Sequence, residues 1–127
     1  MTAKSIATTI LRIIPAVILL QTLFYKFSAA PESVYIFETL GLEPWGRIGL
    51  GVLELITAIL ILVPKTTWLG ALLGIGIMGG AIFSHFAILG VVVQNDGGTL
   101  FLLAWITFVC CVVLVWISRH QNPLLKK

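Results

Sequence analysis

From Trp45 to Val63 the chain reads WGRIGLGVLELITAILILV, nineteen residues interrupted by a single acid, Glu54, and a single base, Arg47. A helix crossing the hydrocarbon of a bilayer needs about 20 predominantly apolar residues. This stretch has that length, lacks the period-2 alternation of a half-buried strand, and stops at Pro64 and Lys65. Three further segments have the same character, over 6–27, 66–89 and 99–117. The run Gln94-Asn95-Asp96-Gly97-Gly98 supplies turn chemistry between the last two. The expected fold is an all-α membrane protein, a four-transmembrane-helix bundle forming one domain over 1–127.

Composition narrows the function classes. The 127 residues are 59% hydrophobic and 10% charged, with a mean hydropathy of +1.10. A soluble domain carries about 25% charged residues. Too few are present to clothe a water-facing surface, which argues against a soluble enzyme, a disordered tail or a nucleic-acid-binding domain. The net charge of +3 then reads as loop orientation. Four spans put both termini on one side, with Lys4, Lys65, Arg119, Lys126 and Lys127. The opposite loops carry Glu32, Glu38, Glu43 and Asp96, with Lys26 and Arg47 at helix ends. The positive-inside rule places the N and C termini in the cytoplasm, and a bacterial cytoplasmic (inner) membrane is the expected location. Trp68 and Trp116 fall near the inner boundary, and Tyr25, Tyr35 and Trp45 near the outer, as aromatic belts do. A cleaved leader ending at Ser28-Ala29-Ala30 is the competing reading of the first segment. Arg12, Gln21 and Lys26 interrupt its apolar run, and Pro31 follows the candidate cut.

Between the first two spans, Pro31-Glu32 reads as a helix start and Gly41 as a stop. Val34, Phe37 and Leu40 share one face, so a short interfacial helix is expected. Its simpler role is to fill an edge of the bundle. Its functional role is to cover a site between the helices.

Charge inside hydrocarbon needs a reason, because insertion scales penalise it by about 2.5–3.5 kcal/mol. Glu54 lies about 13 Å from the outer end of its span, close to the bilayer midplane. It must be protonated, paired with a cation or exposed to a watery cavity. Arg47 precedes it by seven residues and shares its face, as do Gly51 and Ala58. On the first span Arg12 and Lys26 point within about 40° of each other, along a stripe with Pro15, Leu19 and Thr22. Arg12 lies about 9 Å from the cytoplasmic end, within reach of the depth of Glu54, while Gln21 points away from that stripe. The third span is rich in small residues. Gly70/Gly74 and Gly76/Gly80 each have the spacing of close helix packing, and His85 follows near the outer end. The ligand-binding or proton-exchange candidates are therefore Glu54, His85, Lys26, Arg47 and Arg12. The plainer reading is a buried ion pair that fixes helix register; for Arg12 and Arg47 it is contact with headgroup phosphates.

The fourth span carries no charge. Cys110 and Cys111 are adjacent, without C-x-x-C or metal-ligand spacing, and read as small packing residues. No metal site and no catalytic motif stand out, and the expected role is non-catalytic.

The order of these residues adds a resemblance. Lys26 in Thr22-Leu23-Phe24-Tyr25-Lys26-Phe27 is followed by an Ala-Pro link and Leu40-Gly41-Leu42. Gly49-Leu50-Gly51-Val52-Leu53-Glu54-Leu55, Leu60-Ile61-Leu62-Val63-Pro64 and Ser84-His85-Phe86 come next. Over nearly the whole chain this resembles the DoxX-like family of small four-helix membrane proteins. Its wider superfamily includes the nicotinic-receptor assembly chaperone. Tyr25 departs from the small residue that often precedes the lysine. The resemblance implies the four-helix fold, and a role as a subunit or assembly factor of a larger membrane complex. A quinone-linked redox complex and a quinone ligand are among its implications. Expected partners are the lipid bilayer, a membrane protein and a second copy in a homodimer. The alternative is a small proton-coupled transporter acting as a dimer, in plan like the small multidrug exporters, whose signature this chain lacks.

Overall fold

The computed structural model describes residues 3–91 and 97–118, with side chains from residue 6 onward. Gln94, Asn95, Asp96, Arg119, Lys126 and Lys127, together with the side chain of Lys4, lie outside the described residues. Among the described residues every regular element is helical: α1 (Ala3–Phe27), α2 (Pro31–Thr39), α3 (Trp45–Leu62), α4 (Thr67–Ser84) and α5 (Thr99–Ile117). A 3₁₀ turn, Pro64–Thr66, joins α3 to α4, and a π-helical turn, His85–Leu89, extends α4. Four helical segments are long and apolar enough to cross a bilayer: Ile6–Phe27, Trp45–Leu62, Pro64–Leu89 and Thr99–Ile117. The protein is an integral membrane protein in contact with lipid.

The spans form a closed ring in chain order, α1 against α3, α3 against α4, α4 against α5, and α5 back on α1. Each span places one alanine at the centre: Ala16, Ala58, Ala71 and Ala104 are all buried. Hydrocarbon removes the hydrophobic drive between helices, so close van der Waals contact through small residues has to supply cohesion. Gly70 shows how close the contact is, since a Cβ there would lie 2.6 Å from the Ile61 amide nitrogen on α3. Gly74 sits against Cys111, whose sulfur would be 2.5 Å from such a Cβ. Both cysteines are buried and free, so they pack as the sequence suggests. Large side chains point outward instead, with Phe24, Phe83, Phe86 and Trp116 exposed. In water that surface would invite aggregation; against acyl chains it is the proper solvent.

Helix ends are the costly points of such a bundle, because the last carbonyls of a helix lack intrahelical partners and lipid offers none. At the end of α3, Thr66 Oγ1 donates to Leu60 O at 2.8 Å and Thr67 Oγ1 to Ile61 O at 3.0 Å. Arg12 from α1 donates to Ile61 O at 3.2 Å and also to Leu62 O. At the opposite end Arg47 of α3 donates to Lys26 O, in the last turn of α1. Each of these two antiparallel helices thus sends an arginine from its first half to the other's C-terminus. Cations at that position also complement the helix dipole. Replacing Arg12 with Met leaves the Leu62 carbonyl without this donor. The expected loss is about 1–3 kcal/mol of stability, read as a lowered melting midpoint in detergent, with Arg12→Lys recovering part of it.

Candidate functional site

In an α-helix each Cα–Cβ bond leans toward the N-terminus. Lys26, in the last turn of α1, therefore leans back into the bundle, and Glu54 on antiparallel α3 leans up to meet it. Lys26 Nζ lies 3.1 Å from Glu54 Oε1. Thr22, one turn before Lys26 on the same face, donates its hydroxyl to Glu54 Oε2 at 2.8 Å. Both carboxylate oxygens are thus engaged, and Glu54 is only 2% exposed. The acid is held by one cation and one hydroxyl.

This pair lies on the wall of a partly open cavity of about 840 Å³ in the half of the bundle near α2. Volumes of about 300–1,000 Å³ are typical of small-molecule sites. The walls are mainly leucine, isoleucine and alanine. Lys26, Thr22, Glu54, Ser84 and His85 add polar groups. The helix α2 lines one end of the cavity through Ser33, Ile36 and Phe37. Its buried face differs from the expected one. Ser33 and Phe37 are its buried residues, while Val34 is only partly covered.

His85 opens the π-helical turn and is buried. Its Nδ1 lies 2.7 Å from Gly90 O, and its ring meets Phe101 edge-on with centroids 5.2 Å apart. A carbonyl only accepts, so Nδ1 carries a proton, and among the described residues Nε2 has no hydrogen-bond partner. Gly90 takes φ +77, a left-handed value suited to glycine, and its own N–H returns to His85 O at 2.7 Å. Such π turns occur often at functional sites.

The two arginines stand apart from this group. Arg47 shares a helix face with Glu54 but is captured by Glu43. Its Nε donates to the two Glu43 oxygens at 2.9 and 3.0 Å, and Nη2 lies 2.8 Å from Oε1. Glu43, in the loop just before α3, reaches the guanidinium that Glu54, two turns further along the helix, does not. Arg12 is drawn to the bare carbonyls ending α3, at the other end of the bundle from the cavity, so it does not approach Glu54.

Sequence reasoning missed Gln21 and Ser84, which both line the cavity. Gln21 points away from Arg12, as expected, but the cavity wraps around that side of α1. The glycines divide. Gly70 and Gly74 make the close contacts their spacing suggests, whereas a Cβ at Gly76 or Gly80 would meet nothing within 4 Å, and both line the cavity. The Glu43–Arg47 pair was not anticipated, because Glu43 stands in the loop before α3.

A ring of four apolar spans around a buried Lys–Glu pair defines a class of small helical membrane proteins with a polar interior site. The family model of the DoxX-like family matches residues 10–118, and the chain belongs to that family. Comparison with curated proteins and with solved structures gives no match.

Proposed function

We propose that this protein binds a membrane-soluble amphiphile of the quinone class in the cavity beside Glu54, as a subunit or assembly factor of a larger membrane redox complex. The observation that carries this reading is the joining of a buried polar group, Lys26–Glu54–Thr22, to an apolar chamber large enough for a ring headgroup. A lysine ammonium has three donors, and Glu54 engages one; the others suit a carbonyl oxygen. The Nε2 of His85 suits a hydroxyl. A quinone and its quinol present those two groups.

In this reading residues 1–127 form one domain in a bacterial cytoplasmic membrane. The basic residues of the termini and of the α3–α4 turn face the cytoplasm, which puts the cavity in the outer half of the bilayer. A membrane protein or a second copy of this chain supplies the partner. A proton-coupled dimeric transporter is less supported, because both Glu54 oxygens already have partners within the chain, Lys26 and Thr22.

Glu54→Gln keeps an acceptor for Thr22 and removes the charge that positions Lys26. The expected result is a loss of about tenfold or more in decylubiquinone affinity in detergent, with the helical content unchanged. Unchanged affinity overturns the quinone reading of this cavity.

A further inference from the structure

The polar groups of the cavity gather toward α2, whereas its apolar walls run on toward the bilayer midplane. The geometry points to a lateral opening: a ligand with one apolar chain keeps its head beside Lys26, Glu54 and His85 and passes its chain between α3 and α4, past Gly76 and Gly80, into lipid. The inference rests on the cavity being the ligand site proposed above, and it adds the ligand's chain and its route.

Three observations place the opening on this seam. First, α3 and α4 touch at backbone distance near their connecting turn, where Gly70 meets Ile61, whereas a Cβ added at Gly76 or Gly80, on a face of α4 about 120° around from that of Gly70 and Gly74, would meet nothing within 4 Å. These two glycines are one helical turn apart, exposed, and part of the cavity wall. Second, the flanking wall residues Leu53 on α3 and Leu72 on α4 also line the cavity while being 38% and 41% exposed. The cavity surface is therefore continuous with the outer face of the protein between them. Third, the alternatives are filled or polar. Gly74 is packed by Cys111, and Gly79 faces Phe108 of α5, 3.8 Å from its ideal Cβ. The α1–α5 side of the cavity sets Gln21, Tyr25 and Thr99 among Ile18, Leu100 and Leu103, so an alkyl chain leaving there passes polar groups. Along the α3–α4 seam the wall is leucine and glycine. Without a Cβ at two successive turns, a methylene chain can lie against the α4 backbone.

The buried end of the route also asks for a ligand. His85 is 5% exposed, lines the cavity and has one ring nitrogen for which the described residues supply no partner. An occupant with a hydrogen-bonding head at that end and a chain at the seam satisfies both ends together.

The test uses the full chain in detergent and two probes, decylubiquinone with its alkyl chain and tailless duroquinone. Gly76→Leu with Gly80→Leu places two side chains in the seam. Leucine favours helix over glycine and meets open space here, so folding is preserved. Decylubiquinone affinity should fall about tenfold or more while duroquinone affinity stays within about twofold. No loss for either probe, or equal loss for both, overturns the seam route. So does a selective loss of decylubiquinone in Gln21→Leu, on the other side. Should the wild-type protein take neither quinone, the headgroup reading fails, and the seam is judged separately. A diazirine-tagged stearic acid in phosphatidylcholine vesicles should then label the buried segments around Glu54 and His85 in wild type and not in the leucine variant. Equal labelling of both proteins overturns it.

Discussion

Lys26→Met should cost this bundle about 3–5 kcal/mol, the scale for breaking a buried ion pair by removing one partner. The loss comes less from the missing attraction than from what remains. Glu54 is left deep in apolar surroundings with only the Thr22 hydroxyl to hold it. Replacing both members is a different operation, because no unpaired charge is left behind. Lys26→Met combined with Glu54→Leu should therefore melt well above Lys26→Met alone, and recovery of at least about half the loss is expected. Reversible unfolding in mixed micelles, followed by circular dichroism, gives the four corners of the cycle. If Lys26→Met melts with the wild-type protein, the pair contributes nothing to the fold.

Gly70→Ala should be of similar severity although it adds one methyl group. The new Cβ would fall 2.6 Å from the Ile61 amide nitrogen and 2.9 Å from the Leu60 carbonyl carbon. Both are backbone atoms, so no rotamer change relieves the clash and the α3–α4 contact has to widen. Overpacking typically costs about 1–3 kcal/mol, and displacing backbone in a four-helix ring places this case at or above the upper end. The widening also disturbs the threonine and arginine hydrogen bonds that close α3. Gly76→Ala is the matched control on the same helix. It meets open space and should be neutral or stabilise the protein by up to about 1 kcal/mol, as alanine does over glycine in a helix. Melting curves of the two variants side by side decide the matter, and equal midpoints would show that α4 is not held at Gly70.

The spans were legible because their signal is length and hydropathy, which neighbours cannot alter. The second was expected to end at Val63 and ends at Leu62. The polar interior was legible in kind, since an acid at mid-span has few options, and Lys26, Glu54 and His85 do line one cavity. The identity of partners was not. Helical angle put Arg47 and Glu54 on one face, but it says nothing of Glu43, four residues back, which competes for the same guanidinium. Depth along the helix brought Arg12 near Glu54 on paper, whereas the unpaired carbonyls at the end of α3 decide where its donors go. Small-residue spacing at Gly76 and Gly80 is the same as at Gly70 and Gly74. The two pairs lie about 120° apart around α4, and which of those faces a neighbour fills is a property of the assembled bundle.

The Lys26–Glu54 pair has a consequence for how occupancy responds to an energised membrane. As an ion pair of one ammonium and one carboxylate, the two groups sum to zero. Moving one elementary charge through 100 mV is worth about 2.3 kcal/mol, and that term vanishes for a neutral molecule arriving at a neutral pair. If the chamber takes a neutral quinone as proposed, filling or emptying it does no electrical work, and its occupancy should be the same at rest and under full transmembrane voltage.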